Sequence, residues 1–173
     1  MFLVPKPIPI KNTVNMFKKY RINVMTGVNT LYNALNHDDE FKNLAPRTIK
    51  VALAGGMALQ DTVIKAWRQI TAIPIIEGFG LTEASPVTHF NLIYGENPVG
   101  SIGLPLPSTD AKSRNDAGEE QPIGEPGELI ISGPQVMQGY WNKPEETANT
   151  IRDGWLWTGD IAKRDKNGYF YIV

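Results

Sequence analysis

Residues 49–76, IKVALAGGMALQDTVIKAWRQITAIPII, decide how the first half of this chain folds. Ile49, Val51 and Leu53 alternate with Lys50, Ala52 and Ala54, the period-two pattern of a strand. Val63, Ile64 and Trp67 then recur at helical spacing, and the short apolar run Ile73-Pro74-Ile75-Ile76 reads as a second strand. Strands separated by a helix predict a parallel α/β layer, with Trp67 in its core. The same grammar holds upstream. Ile10, Val14 and Phe17 mark one helix, and Leu31, Ala34 and Leu35 mark another, with Asn29 or Thr30 as its candidate cap.

Past Glu77 the grammar changes. Of 16 Gly and 13 Pro, 13 Gly and 8 Pro lie at or after Gly78, so turns crowd this half. The signals Asn115-Asp116-Ala117-Gly118 and Lys166-Asn167-Gly168 separate short strands at Glu128–Ile131 and Tyr169–Val173. Asn-Gly favours a two-residue hairpin, because both central residues tolerate positive φ. A small β-barrel or curled antiparallel sheet is expected. One helix interrupts it, opened by Pro144 with Glu145 and Glu146 in its first turn. The expected division is a partial α/β subdomain over 1–98 and a β-barrel-like subdomain over 99–173. The chain stops inside an apolar strand, at Tyr171-Ile172-Val173, and is read as an internal fragment whose open edges favour self-association. Any oligomer could then be an artefact of truncation.

Composition excludes several classes. Hydrophobic residues make up 42% and charged residues 20% of the 173, which is globular and not disordered. No apolar run approaches the ~20 residues that span a bilayer. There is no Cys, so disulfides and thiolate metal sites are out, and a cytoplasmic chain is expected. With only His37 and His89, a His-rich metal site is out too. The net charge of −1 hides a split: 10 Lys+Arg against 5 Asp+Glu over 1–77 (+5), and 7 against 13 over 78–173 (−6). The basic residues are scattered apart from Lys18-Lys19-Tyr20-Arg21, which reads as solvated surface and not as a nucleic-acid site.

The stretch GFGLTEASP, 78–86, carries the chemistry. Gly78 and Gly80 around Phe79 would expose the ring and the peptide edges, as a purine that stacks and hydrogen-bonds at its rim would need. Thr82 can donate to a phosphate oxygen. Glu83 cannot touch phosphate directly, but it can hold Mg²⁺ between carboxylate and phosphate. The bland reading, a glycine-kinked turn around a packed Phe, stays open on spacing alone. Gly55 and Gly56 follow the predicted strand at the place where open α/β sheets bind ligands, although a plain turn would use them equally and no GxGxxG or GK[ST] appears. Asp160, at the end of DGWLWTGD, can accept from both hydroxyls of a ribose or simply cap a turn. Met57 suits a nucleotide or an ordinary gap. Trp141, Trp155 and Trp157 are expected to pack the barrel or its contact with the α/β layer. His89 is expected to be a satisfied core or surface residue, and His37-Asp38-Asp39-Glu40 a solvated helix end and loop.

Six stretches in order, TGVNTLYNAL (26–35), AGGMAL (54–59), EGFGLTEASP (77–86), GSIGLPLPST (100–109), GEPGELIISGPQVMQGYW (124–141) and DGWLWTGDIAKRDKNGYFYIV (153–173), resemble the adenylate-forming superfamily. That superfamily holds acyl-CoA synthetases, luciferases and peptide-synthetase adenylation domains. Within it the chain is most similar to bacterial long-chain fatty-acid–CoA ligases. The resemblance implies that Phe79 stacks on adenine where relatives usually carry Tyr, and that Gly55, Gly56, Gly78 and Gly80 line the adenine and acyl pocket. It implies further that Thr82 contacts the α-phosphate, Glu83 holds Mg²⁺ and Asp160 binds the ribose. Thr26, Gly27 and Val28 would line the acyl channel, where Asn29 replaces a frequent Pro. The implied substrates are a fatty acid, ATP and CoA, with AMP released, and a fatty acid makes peripheral membrane contact of the parent reasonable. The family's phosphate loop has no counterpart, since no TSGTTGxPK-like run occurs, and the resemblance implies that its catalytic Lys lies in a cap domain that would begin just after Val173. The 173-residue chain alone is therefore expected to be inactive. The alternatives are another acid–CoA ligase, a synthetase that loads a carrier protein, or a non-catalytic nucleotide-binding or interaction module.

Overall fold

A computed structural model describes residues 1–95 and 97–173. They form two compact units, Met1–Glu77 and Gly78–Val173.

In the first unit, helix α1 (Lys11–Lys19) precedes strand β1 (Val24–Gly27), α2 (Asn29–His37), α3 (Asp39–Leu44), β2 (Val51–Ala54), α4 (Asp61–Thr71) and the start of β3 (Ile75–Gly80). The three strands pair in parallel in the order β1-β2-β3, as the strand–helix–strand reading predicts. Register is set by burial. Met25, Ala52, Ile75 and Ile76 are buried, and the core closes around Trp67, which meets Tyr32 edge-on at 4.8 Å and stacks on Phe41 at 5.6 Å. The Tyr32 hydroxyl donates to the Leu53 carbonyl at 2.8 Å, so the phenol is buried with its polar end satisfied.

Several boundaries differ from the sequence reading. Strand β3 begins at Ile75, not Ile73, since Pro74 has no N–H to give the ladder. Neither Asn29 nor Thr30 caps α2. Val28 holds the cap position in extended conformation, and the Asn29 side chain instead accepts from the Gln60 N–H at 3.0 Å. The acidic run 37–40 is more than a solvated loop. Asp38 caps α3, its Oδ1 accepting from the Phe41 N–H at 2.9 Å, while Asp39 and Glu40 occupy the first turn.

The second unit is antiparallel. Residues 78–80 of β3 pair with β4 (Val87–Phe90), which pairs with β5 (Leu104–Pro105). A curled sheet follows in the order β10-β9-β7-β6, from β6 (Asp110–Arg114), β7 (Gly127–Ser132), β9 (Trp155–Arg164) and β10 (Phe170–Ile172). The short β8 (Ile151–Arg152) follows α5 (Pro144–Thr150) and pairs with β9. Leu129, Ile131, Ala162 and Phe170 form the core, with Phe79, Leu81 and Val136 packed against it.

Both turn signals are real, but neither is a two-residue hairpin. In each, an Asn or Asp side chain holds the turn and only the final Gly has positive φ. Asp165 Oδ1 accepts from the N–H groups of Asn167 and Tyr169 before Gly168 (φ 88°), and Asn115 Oδ1 accepts from the Glu119 N–H beside Gly118 (φ 79°).

Candidate functional site

In the first unit the parallel strands end in step. Gly27 pairs with Ala54, and Ala54 with Glu77, so β1, β2 and β3 reach one carboxyl edge together. Thr26, Gly27, Val28, Gly55 and Gly56 lie on or just beyond that edge, the ligand-binding side of an open α/β sheet. Thr26, Val28 and Gly56 are exposed, and Gly27 and Gly55 are half-buried. The segment after Gly56 is tied down by two side chains: Glu77 accepts from the Leu59 N–H at 3.3 Å, and Asn29 from that of Gln60. Burial pushes the Glu77 carboxyl above the ordinary carboxylate range, partly offset by the Leu59 hydrogen bond. Met57 is 55% exposed and fills no gap.

In the second unit the glycine–aromatic–glycine segment is a strand and not a loop. Gly78 pairs with Phe90 and Phe79 with His89, and then the register slips. One extra residue, Thr88, bulges from β4, and the bulge lets two consecutive side chains, Thr88 and His89, both be fully buried. The glycines have a packing reason of their own. A Cβ on Gly78 would run into the Phe90 ring, and one on Gly80 into the Pro86 carbonyl.

Half-buried Phe79 packs on the Leu129–Phe170 cluster and faces His89, whose ring lies between Phe79 (6.1 Å) and Phe170 (4.9 Å). The His89 Nδ1 lies 2.9 Å from the Thr88 hydroxyl, but its buried Nε2 has no partner among the described residues. His89 is thus a core residue, though only half satisfied, and desolvation drives its pKa down to about 4.

Strand β3 runs into a single 3₁₀ turn, Thr82–Ala84, closed by Ser85 at φ 54°. The turn leaves Thr82 exposed and Glu83 half-buried. Glu83 lines a small cleft of about 80 Å³ with Leu81, Tyr140, Thr150, Leu156, Trp157 and Thr158. That is far below the ~300–1,000 Å³ of ligand pockets, so the cleft by itself has room for an ion or a small group and not for a whole nucleotide. Sequence reasoning did not single out Tyr140 or Thr158, although both lie inside quoted motifs. The Tyr140 hydroxyl donates to Glu83 Oε1 at 2.9 Å, and this bond raises the phenol's pKa. Trp157 lines the cleft as well, with the Arg152 guanidinium over its ring at 4.7 Å. Trp155 is half-buried, but Trp141 is 89% exposed and so does not pack inside the barrel.

Asp160 sits inside β9 on a wide bulge. Ile130 pairs with Trp157 and Glu128 with Ile161, two steps on β7 against four on β9, so Thr158, Gly159 and Asp160 all face Leu129. Gly159 takes φ 77°, its N–H donating to Glu128 at 3.0 Å, and the Thr158 hydroxyl donates to the Leu129 carbonyl at 2.7 Å. The bulge lifts a half-buried Asp160 out of the ladder. The structure therefore brings Glu83 and Thr158 into one cleft, while Phe79, Thr82 and Asp160 stand outside its lining.

The donor set suits a hard divalent cation of the kind that keeps most of its water and takes one carboxylate plus substrate phosphates. Among the described residues no group of three or more His, Asp or Glu assembles, so no all-protein metal cage exists there. No helix among them is long and apolar enough to cross a membrane.

The model of a family described as AMP-binding enzyme matches residues 1–141. A long-chain-fatty-acid–CoA ligase from Bacillus subtilis is 46% identical over 174 residues, covering all of this chain and 31% of its own length. A feruloyl-CoA synthase from Amycolatopsis is 34% identical over 154 residues, 88% of this chain and 31% of that one. Among solved structures, apo MatB from Rhodopseudomonas palustris superposes with a TM-score of 0.89 at 31% identity, covering 99% of this chain and 34% of that one. The chain thus spans about a third of the length of the relatives it matches.

Proposed function

Because this chain belongs to the AMP-binding enzyme family, we propose that it is the adenine-, ribose- and Mg²⁺-binding part of an ATP-dependent long-chain fatty-acid–CoA ligase. In that reaction a carboxylate attacks the α-phosphorus of ATP, giving acyl-AMP and pyrophosphate. The CoA thiol then displaces AMP. Two anions must meet in the first step, so neutralising charge is the main task of the site. Mg²⁺, when bound, supplies part of that neutralisation.

The chain's own residues take the following roles. Phe79 stacks on adenine, with Gly55, Gly56, Gly78 and Gly80 letting the backbone approach. Thr82 donates to the α-phosphate, Glu83 holds the cation and Asp160 holds the ribose. Thr26, Gly27 and Val28 line the acyl channel. The subdomain division at 98/99 belongs to the same reading, as do a cytoplasmic location and peripheral membrane contact. The observation that carries it is a carboxylate, Glu83, in a cleft shared with Thr158 of the TGD segment. The 46% identity to a long-chain ligase supports the long-chain substrate, and the feruloyl-CoA synthase supplies the competing aryl acid.

The test is acid-dependent AMP release by the reading frame that contains this chain, across fatty acids of increasing length and a set of aryl acids. Long-chain acids should give the highest kcat/KM. AMP release with aryl acids alone would sink the fatty-acid reading, and none with any acid would sink the ligase reading. The 173-residue polypeptide assayed alone should form no acyl-CoA above a Glu83→Ala control. It has no TSGTTGxPK-like run, and losing even one preorganised donor costs ~10²–10³ in rate.

A further inference from the structure

Glu83 is held from both its ends by one short segment. Its backbone carbonyl accepts from the Met137 N–H at 2.8 Å, and its Oε1 accepts from the Tyr140 hydroxyl at 2.9 Å, across 57 residues of chain. That segment is anchored in turn. The Tyr140 N–H donates to Thr147 Oγ1 at 2.9 Å, and the Thr147 hydroxyl donates to the carbonyl of Lys143, the N-cap of α5, at 2.8 Å. Gly139 has φ 152°, and a Cβ there would strike the Thr147 side chain, so the backbone lies directly on the helix. Thr147 thus fixes the Tyr140 backbone on α5, and the Tyr140 side chain carries that hold to the carboxylate.

We infer that Tyr140, fixed by Thr147, is a positioning residue that presents the Glu83 carboxylate to the divalent cation of the nucleotide substrate. The inference rests on the proposal that Glu83 holds that cation. The physical reason is local. Glu83 rides on a 3₁₀ turn of three residues, with several rotatable bonds between backbone and carboxylate. Ordering such a side chain at the moment of binding costs affinity, and an arm already pinned at one oxygen loses less. Oε1 takes the phenol's proton donor and leaves Oε2 with its lone pairs for the cation. Partners of this kind, which orient a ligand without touching the ion, typically matter 10–100-fold in metal affinity.

The experiment uses Mn²⁺ as a spectroscopic probe. Its dissociation constant in the complex with α,β-methylene-ATP would be measured by electron paramagnetic resonance on the reading frame that contains this chain. Glu83→Gln should weaken Mn²⁺ binding most. Tyr140→Phe, which keeps the ring and deletes only the hydroxyl, should weaken it about 10-fold. Thr147→Val should weaken it less, and Thr147→Ser should restore it. If Glu83→Gln weakens binding but Tyr140→Phe leaves it unchanged or tightens it, the positioning role is wrong and the cation site stands. If Glu83→Gln has no effect, the cation site itself is wrong and the inference falls with it. Should Tyr140→Phe fail to fold, the Thr147→Val and Thr147→Ser pair decides: equal binding by the two overturns the role, and loss in Val with rescue in Ser upholds it.

Discussion

Acidification from pH 7 to pH 5 should unfasten the second unit through His89. The imidazole is fully buried between two phenyl rings, and desolvation lowers its pKa from 6.5 to about 4. Between those values the unfolded chain binds a proton that the folded chain refuses. Stability from this group is therefore complete above pH 6.5 and is lost as pH falls toward 4. Linkage with these two values gives a loss of almost nothing at pH 7 and about 2 kcal/mol at pH 5. For a domain whose stability is typically ~5–15 kcal/mol, that is a large share from one side chain. The assay is urea unfolding at both pH values for the natural chain and for His89→Leu, an apolar occupant of the same slot. The natural chain should lose about 2 kcal/mol more than the variant over this interval. Glu77, its pKa raised by burial, pulls the other way, and Glu120, its pKa lowered mainly by the hydrogen bond from Lys112, adds to the loss; both cancel in the comparison. Parallel losses in the two proteins would refute the reasoning, because the buried imidazole would then carry no linkage.

Gly80→Ala should cost about 3 kcal/mol, the upper end of overpacking, because the new Cβ meets the Pro86 backbone and not a movable side chain; chemical denaturation measures it. Asp38→Ala should cost about 1 kcal/mol by removing the cap of α3, with Asp38→Asn nearly neutral in the same assay. Asp160→Asn should raise the KM for ATP roughly 10-fold, as expected for losing a hydrogen bond to a charged group. The loss should shrink with 2′- and 3′-deoxy-ATP, and equal losses with all three nucleotides would remove Asp160 from the ribose.

How legible the fold was depends on the distance over which each signal acts. Ile49–Leu53 and Val63–Trp67 carry their periods within one or two turns, and the parallel layer followed from them. Gly78 and Gly80 were not legible as strand residues, because glycine reads as a turn and the packing that also requires it here comes from a neighbouring strand. The closeness of the Phe90 ring and the Pro86 carbonyl is known only once β4 has paired. Strand β1 was missed for a similar reason: only Met25 of its four residues is buried, so no alternation shows. For the site, Glu83 was visible as a carboxylate with an unusual neighbour. Tyr140 was not, since no spacing rule links two residues 57 apart. His89 was read as core, but its orphaned nitrogen depends on the bulge at Thr88, which is a property of pairing and not of sequence.

The bulge in β9 also constrains how this protein can evolve. It inserts two residues, an even number, so Leu156 before it and Ala162 after it both remain buried. Parity is what the bulge preserves. Gain or loss of one residue between Thr158 and Asp160 would turn one flank of the strand inside out, exposing either Leu156 or Ala162 together with every second side chain on its flank. Gain or loss of a pair would not. Length variation in this segment across descendants should therefore come in steps of two, a rule of counting imposed by the pleat before any ligand has its say.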